Sequence, residues 1–282
     1  MIPLSRPFPS AIGAVLAAAT CLLAACQPSH PASKDPAAEE AAALEAKGYT
    51  HAPAITAVTG GAPGFVVVGG DAPADSRVRF AFADPLKGGG QAVGVTADAQ
   101  GHFHAEVPTT ARGGLYDIIV DDGGRPRQAE GRLFVPPDHP ERAALLRPGA
   151  ASRLLRPQAP GVAQGVAQGV ATSDYDAAGA FAVSGRVAPD AEVTVIVNNE
   201  IRALVRSDHQ GNFNAATQVP PPGPVAQTDT VIVQAGKDSF RRDVQVVGAD
   251  AATGDRMTVT PDGWRIEWHL PGGGEQSTVV FR

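Results

Sequence analysis

The chain has 282 residues and a formal net charge of −6, with 32 Gly and 25 Pro beside a charged fraction of only 18%. The length suggests about two domains, the Gly and Pro content favours turn-rich β structure over a helical bundle, and the acidic balance excludes nucleic acid, whose phosphates require a basic surface. In chain order the first element is a processing signal. Arg6 supplies positive charge, residues 11–23 form an apolar stretch of small side chains, and Leu23-Ala24-Ala25-Cys26 follows. The apolar run is short of the roughly 20 residues a membrane span requires.

Leu23-Ala24-Ala25-Cys26 resembles a bacterial lipobox. The resemblance implies a signal peptide, 1–25, cut before Cys26, with a diacylglycerol on the Cys26 thiol and a palmitate-type acyl chain on the new amine. An uncleaved helix and a plain secretory signal are the alternatives, but neither requires a Cys at this place. More than one acyl chain gives stable anchoring where a single chain binds marginally. Gln27 follows the Cys, and by analogy with Gram-negative sorting a residue other than Asp there implies the outer membrane, with the protein facing the periplasm or the surface. With Cys21 in the discarded segment and Cys26 acylated, the mature chain offers no disulfide, cysteine nucleophile or thiolate metal site.

Residues 26–53 read as a lipidated tether. Pro28, Pro31 and Pro36 interrupt regular structure, and a short helix over the Ala/Glu run at 37–47 is compatible with Asp35 as cap, Pro36 in the first turn and Gly48 as stop. Such a helix in isolation is marginal.

The main feature beyond the tether is an internal repeat. Val68, Gly70, Val78 and Phe80 align without a gap to Val183, Gly185, Val193 and Val195, with Pro73 and Pro189 in the intervening loop. Asp98-Ala99-Gln100-Gly101-His102-Phe103 matches Asp208-His209-Gln210-Gly211-Asn212-Phe213, and Val107-Pro108 matches Val219-Pro220. Downstream, Ile118-Ile119-Val120 corresponds to Val231-Ile232-Val233, and Leu133-Phe134-Val135 to Val244-Gln245-Val246. Each copy is a series of short β-branched segments separated by Gly, Pro and Asp turns, the pattern of an all-β sandwich. Alternation places Val193, Val195 and Val197 on a core face, the Asp-x-x-Gly turns use Gly at positive φ, and Phe103 and Phe213 enter the core.

The series Val-x-Gly, a Pro-containing loop, Val-x-Val, Asp-x-x-Gly-x-Phe and Val-Pro resembles tandem bacterial Ig-like (Big-type) domains. It implies two Ig-like β-sandwiches, 54–137 and 176–248, of the kind that serve surface proteins as spacers, adhesion elements or carbohydrate-binding and wall-associated units. The first loop departs from the common Pro-Gly, reading Pro73-Ala74 and Pro189-Asp190, and the first copy carries an insertion at 84–91.

Residues 138–175 are Pro/Gly/Ala-rich, include the low-complexity run 161–169, and read as a flexible linker. Arg142, Arg147, Arg153 and Arg156 form a sparse basic stripe within it, a solvated linker face or a contact for anionic lipid. The C-terminal portion, 249–282, reads as a three-stranded meander over 257–260, 264–270 and 275–281. Trp264, Ile266, Trp268 and Leu270 share one face of its middle strand. A lone meander is marginal in water, so this face covers something: the second sandwich, a partner protein, a sugar laid on an aromatic platform, or a strand added at an edge. Trp264 and Trp268 are therefore the candidate binding surface.

No catalytic motif occurs in the sequence, so an enzyme is not expected. No cofactor or metal is expected either. His102 and His104 share a strand face, but their counterparts are Asn212 and Asn214, and Asp71, Asp75, Asp121 and Asp122 suit turns better than a calcium loop. The reading is an all-β, non-enzymatic cell-envelope lipoprotein, a structural or protein-binding scaffold, with a carbohydrate- or peptidoglycan-binding lipoprotein as the alternative. Its expected partners are the membrane, through Cys26, and an envelope protein or polysaccharide.

Overall fold

The computed structural model describes residues 51–82, 92–111, 113–122, 125–155, 168–223, 225–246 and 254–282, all within one compact unit, Leu44–Arg282. Cys26, the tether, the insertion at 84–91 and most of the low-complexity run lie outside the described residues. Every strand pairing is antiparallel.

The first repeat comprises β1 (Ala54–Gly60), β2 (Phe65–Asp71), β3 (Arg77–Phe82), β4 (Val93–Thr96), β5 (His102–Pro108), β6 (Gly114–Asp122), β7 (Arg125–Gln128) and β8 (Arg132–Val135). Strands β1-β2-β5 make sheet 1, while β4, β3, β6 and the successive β7 and β8 belong to sheet 2. The second repeat repeats the plan. Its strands are β11 (Gly169–Asp176), β12 (Ala180–Arg186), β13 (Glu192–Val197), β14 (Glu200–Arg206), β15 (Asn212–Gln218), β16 (Gln227–Ala235) and β17 (Asp238–Val246). Strands β11-β12-β15 lie in sheet 3, and β14-β13-β16-β17 form sheet 4. Two facing antiparallel sheets with this strand order are Ig-like sandwiches.

The repeat motifs have a shared physical cause. A Cβ on Gly70 would lie 2.2 Å from the Ala54 carbonyl oxygen and 2.6 Å from the Phe103 ring; on Gly185 it would lie 2.1 Å from Gly169 O and 2.8 Å from Phe213. The Gly of Val-x-Gly thus makes room for the Phe of Asp-x-x-Gly-x-Phe, and both Phe side chains are buried. In each turn the Asp carboxylate accepts two backbone N–H groups, from Gln100 and His102 at Asp98 and from Gln210 and Asn212 at Asp208. The first strand of each copy carries a bulge at the same place, between Ile55 and Ala57 and between Val170 and Thr172. The left-handed position of the first loop falls at Asp75 (φ 58°) and Asp190 (φ 54°), so in the second copy Asp stands where the common Pro-Gly has Gly, and in the first it lies one residue beyond.

Pairing also corrects two parts of the alignment. Phe80 pairs with Ile118 and its counterpart Val195 with Val233, so Ile118 corresponds to Val233, two residues on from the sequence match. Leu115 pairs with Phe134 and its counterpart Thr230 with Asp243, so Phe134 corresponds to Asp243, two residues before the sequence match at Gln245. A slip of two keeps every side chain on its face, and alternation cannot detect it.

The stretch 138–175 is not simply a linker. A 3-10 turn (Pro140–Arg142) leads into β9 (Ala144–Leu146) and β10 (Arg153–Leu154), which extend sheet 2 in the order β10-β9-β8, and β11 begins at Gly169. Ala143, Ala144, Leu145 and Leu146 are fully buried. The Pro and Gly around them signal turns, and the short apolar run between those turns is a buried strand.

The meander forms as expected, as β18 (Arg256–Thr260), β19 (Gly263–His269) and β20 (Glu275–Phe281). β20 pairs with β11, making sheet 3 six-stranded in the order β15-β12-β11-β20-β19-β18. Three apolar layers result. Sheets 1 and 2 enclose Ile55, Val68, Phe80, Phe103 and Ile118; sheets 3 and 4 enclose Val183, Val195, Phe213, Val233 and Phe281. The third layer lies between sheet 2 and sheet 3, where Leu115, Phe134, Ala144 and Leu146 meet Trp264, Ile266, Trp268 and Val280. The strands at this seam are buried on both faces: Leu133 and Val135 point into the first core and Phe134 into the seam, while Val279 and Phe281 point into the second core and Val280 into the seam.

Candidate functional site

The two tryptophans do not present a binding surface. Trp264 and Trp268 are both 0% exposed. Their face is covered by sheet 2 of the first repeat and not by the second sandwich, which uses the opposite face of sheet 3. Phe134 tilts against Trp264 at 6.3 Å between ring centroids, His139 meets it edge-on at 5.7 Å, and the Arg282 guanidinium lies 4.9 Å over the ring. Burying a large apolar side chain stabilises by about 2–3 kcal/mol, so this layer fastens the repeats together.

At one rim of the seam a groove of about 500 Å³ is lined by Asp117, Arg132, Asp255, His269, Leu270 and Pro271, among others. Its charges are already matched. Arg132 on β8 pairs with Asp117 of β6 at 2.8 Å and with Asp255, just before β18, at 2.6 Å. Asp255 also accepts the His269 backbone N–H at 3.1 Å. The arrangement bridges the repeats around a guanidinium whose side chain is 12% exposed. The sequence hid this cluster because its members lie far apart along the chain.

Beside it the outer face of sheet 3 is polar. Asp174 is enclosed by Ser152, Gln276 and Thr278, and Ser152 O accepts the hydroxyls of Thr172 and Ser184 at 2.8 and 2.6 Å. The alternation of Thr172 with Asp174, and of Gln276 with Thr278, is a polar stripe on paired strands that the sequence could have revealed.

The other candidates fall into place individually. In the basic stripe, Arg147 and Arg153 share Glu130, at 3.4 and 3.3 Å, a carboxylate from the β7–β8 turn; Arg142 is half-buried and Arg156 lies outside the described residues. His102 and His104 are exposed side by side, and the hydrogen bond that His102 Nδ1 donates to Asp71 at 2.6 Å raises that imidazole above its ordinary value. Among the described residues no three His, Cys, Asp or Glu side chains gather as a metal site, and no helix is long and apolar enough to cross a membrane.

Among the described residues an apolar row runs across the outer face of sheet 4. Ile201 pairs with Ile196, which pairs with Ile232, and Leu204 lies beside them opposite Thr194. Ile201 is 66% and Leu204 74% exposed, and both belong to β14, which pairs on one side only.

No family model matches the chain, and no curated protein matches it. Among solved structures, it is similar to the BSP domain of a biofilm-associated protein, at 16% identity over 72% of this chain and 30% of that one, with a TM-score of 0.23. It is also similar to invasin, a bacterial integrin-binding protein, at 12% identity over 81% of this chain and 54% of that one, with a TM-score of 0.21. The chain therefore spans less than two thirds of either structure. Strand order and register, rather than these likenesses, establish the fold.

Proposed function

We propose that the protein is a non-enzymatic envelope lipoprotein, anchored through Cys26, whose two fused Ig-like repeats form a rigid scaffold that presents the outer face of sheet 4 to another envelope protein. The observation that carries the reading is the aliphatic row on sheet 4, in which Ile201 and Leu204 are exposed and Ile196 and Ile232 half-buried, with β14 at the edge of the sheet. Such a row suits the apolar face of a protein or an added strand. A carbohydrate platform would use aromatic rings, and the two tryptophans are enclosed, so a sugar or peptidoglycan strand would have to use the groove beside Arg132 instead. The anchor rests on the lipobox resemblance, and outer-membrane placement rests on Gln27.

The test expresses the full-length wild type, Cys26→Ser and Leu204→Asp in a Gram-negative host, with intact mass, membrane fractionation and pull-down from the envelope as readouts. The wild type should gain lipid mass and sediment with membranes, and Cys26→Ser should do neither. Leu204→Asp should remain anchored and folded but lose the captured protein. Soluble, unlipidated wild type would sink the anchor; undiminished capture by Leu204→Asp would sink the sheet 4 surface.

A further inference from the structure

The loop between β9 and β10, residues 147–152, lies as a strap across the outer face of sheet 3, and Asp174 is its fastening point. Asp174 is 3% exposed. Its Oδ2 accepts the Ser152 backbone N–H at 2.7 Å; its Oδ1 accepts the Ser152 hydroxyl at 2.6 Å, the Thr278 hydroxyl at 2.6 Å and the Gln276 amide at 3.1 Å. Neighbours fix these directions. Thr278 Oγ1 accepts Trp268 Nε1–H at 3.1 Å, Ser152 Oγ accepts the Arg147 N–H at 3.4 Å, and Gln276 Oε1 accepts the Gly149 N–H at 3.0 Å. Among the described residues, four donors therefore meet this carboxylate and no cation does. On the strap, the Arg147 and Arg153 guanidinium groups turn to Glu130. β12 presents Ser184, β20 presents Gln276 and Thr278, and on β19 Glu267 pairs with Arg256 and His269 with Asp255.

We propose that this cluster is a pH-responsive clasp between the two repeats, in which a proton on Asp174 tightens the strap on sheet 3 and loss of that proton loosens it. A buried anion without a counter-charge is costly even when hydrogen-bonded. Oδ2, with one donor, has a lone pair free for the proton. Burial accordingly pushes Asp174 up to about 6, although its hydrogen bonds pull the other way. In the unfolded chain the group returns to its ordinary value of 3.8. The folded state thus holds the proton more tightly. Its contribution to stability is fully present below the unfolded value, is lost as pH rises through about 6, and is flat above. Across that window the equilibrium for opening should change roughly a hundredfold. The clasp is independent of the proposed anchor and partner.

Hydrogen exchange of the full chain tests the clasp. Protection of amides in 144–155 and 275–281, corrected for intrinsic rates, is compared at about pH 4.5 and about pH 7.5 in wild type and Asp174→Asn. Wild-type protection should fall by tens of fold at the higher pH, and the variant should show no such dependence. Equal pH dependence in both proteins, or none in the wild type, overturns the clasp. Because Asn disturbs the Ser152 N–H contact, the Asp174 carboxyl carbon is also titrated by NMR in the wild type. A midpoint near that of a free aspartate overturns the proposal whether or not the variant folds, and one near 6 supports it.

Discussion

In the first repeat the outer face of the larger sheet carries the cross-strand pair Leu115 and Phe134, both enclosed against the meander. At the same place in the second repeat the pair is Thr230 and Asp243, hydrogen-bonded to each other at 2.9 Å, with Arg241 closing on the carboxylate at 3.1 Å in solvent. The inward positions and turns of the two repeats are nearly interchangeable; these outward positions are not. The difference teaches that an Ig-like sandwich is specified by its inner faces, and that its outer faces are where a chain writes what the sandwich will touch. Apolar outward residues in one copy bind the neighbouring repeat. Their polar counterparts leave the other copy's face to water, apart from the aliphatic row at β14.

The sharpest way to break the comparison is to empty the seam. Trp268→Ala should cost about 4 kcal/mol, from lost burial plus a cavity, and should let the two repeats unfold in separate transitions in urea; a single transition with an unchanged midpoint would mean that the seam contributes little. Next come the paired glycines. Gly70→Ala and Gly185→Ala each drive a Cβ into a carbonyl and a Phe ring, so each should cost about 3 kcal/mol, and the two values should agree within about 1 kcal/mol if the inner architecture is truly shared. The smallest effect probes a departure between copies. The Tyr116 hydroxyl donates to the Pro108 carbonyl, and burial pushes its phenol up to about 12. Tyr116→Phe keeps the ring and should cost about 1 kcal/mol by thermal unfolding, whereas Val231, which occupies that register in the second repeat, has no hydroxyl to lose.

Much of the fold was legible in the sequence because its causes are local. Val193, Val195 and Val197 alternate into the core, the Asp-x-x-Gly turns recur with the same hydrogen bonds, and Trp264, Ile266 and Trp268 do share a face. What that face covers was not legible. Its partners Leu115 and Phe134 lie well over a hundred residues away, and nothing in a period of two names a partner. The same periodicity hid the two-residue slip at Ile118. Composition misdirected the reading at 138–155, where Pro and Gly suggested a linker although Ala143-Ala144-Leu145-Leu146 carried a strand's worth of apolar surface. The Arg132 and Asp174 clusters escaped because each joins segments far apart in the chain, the first from both repeats and the second from the strap and sheet 3.

β20 packs into two cores at once, and it is made about a hundred residues after its partner β11. During synthesis the first repeat can close its own interior early, but β11 waits with an open edge until β20 arrives. The half-built intermediate exposes an unpaired strand and the apolar faces of sheets 2 and 3, a state prone to pairing with other chains. The order of emergence therefore completes the second repeat after the first, and the arrival of β20 sets the moment at which the molecule becomes a single body.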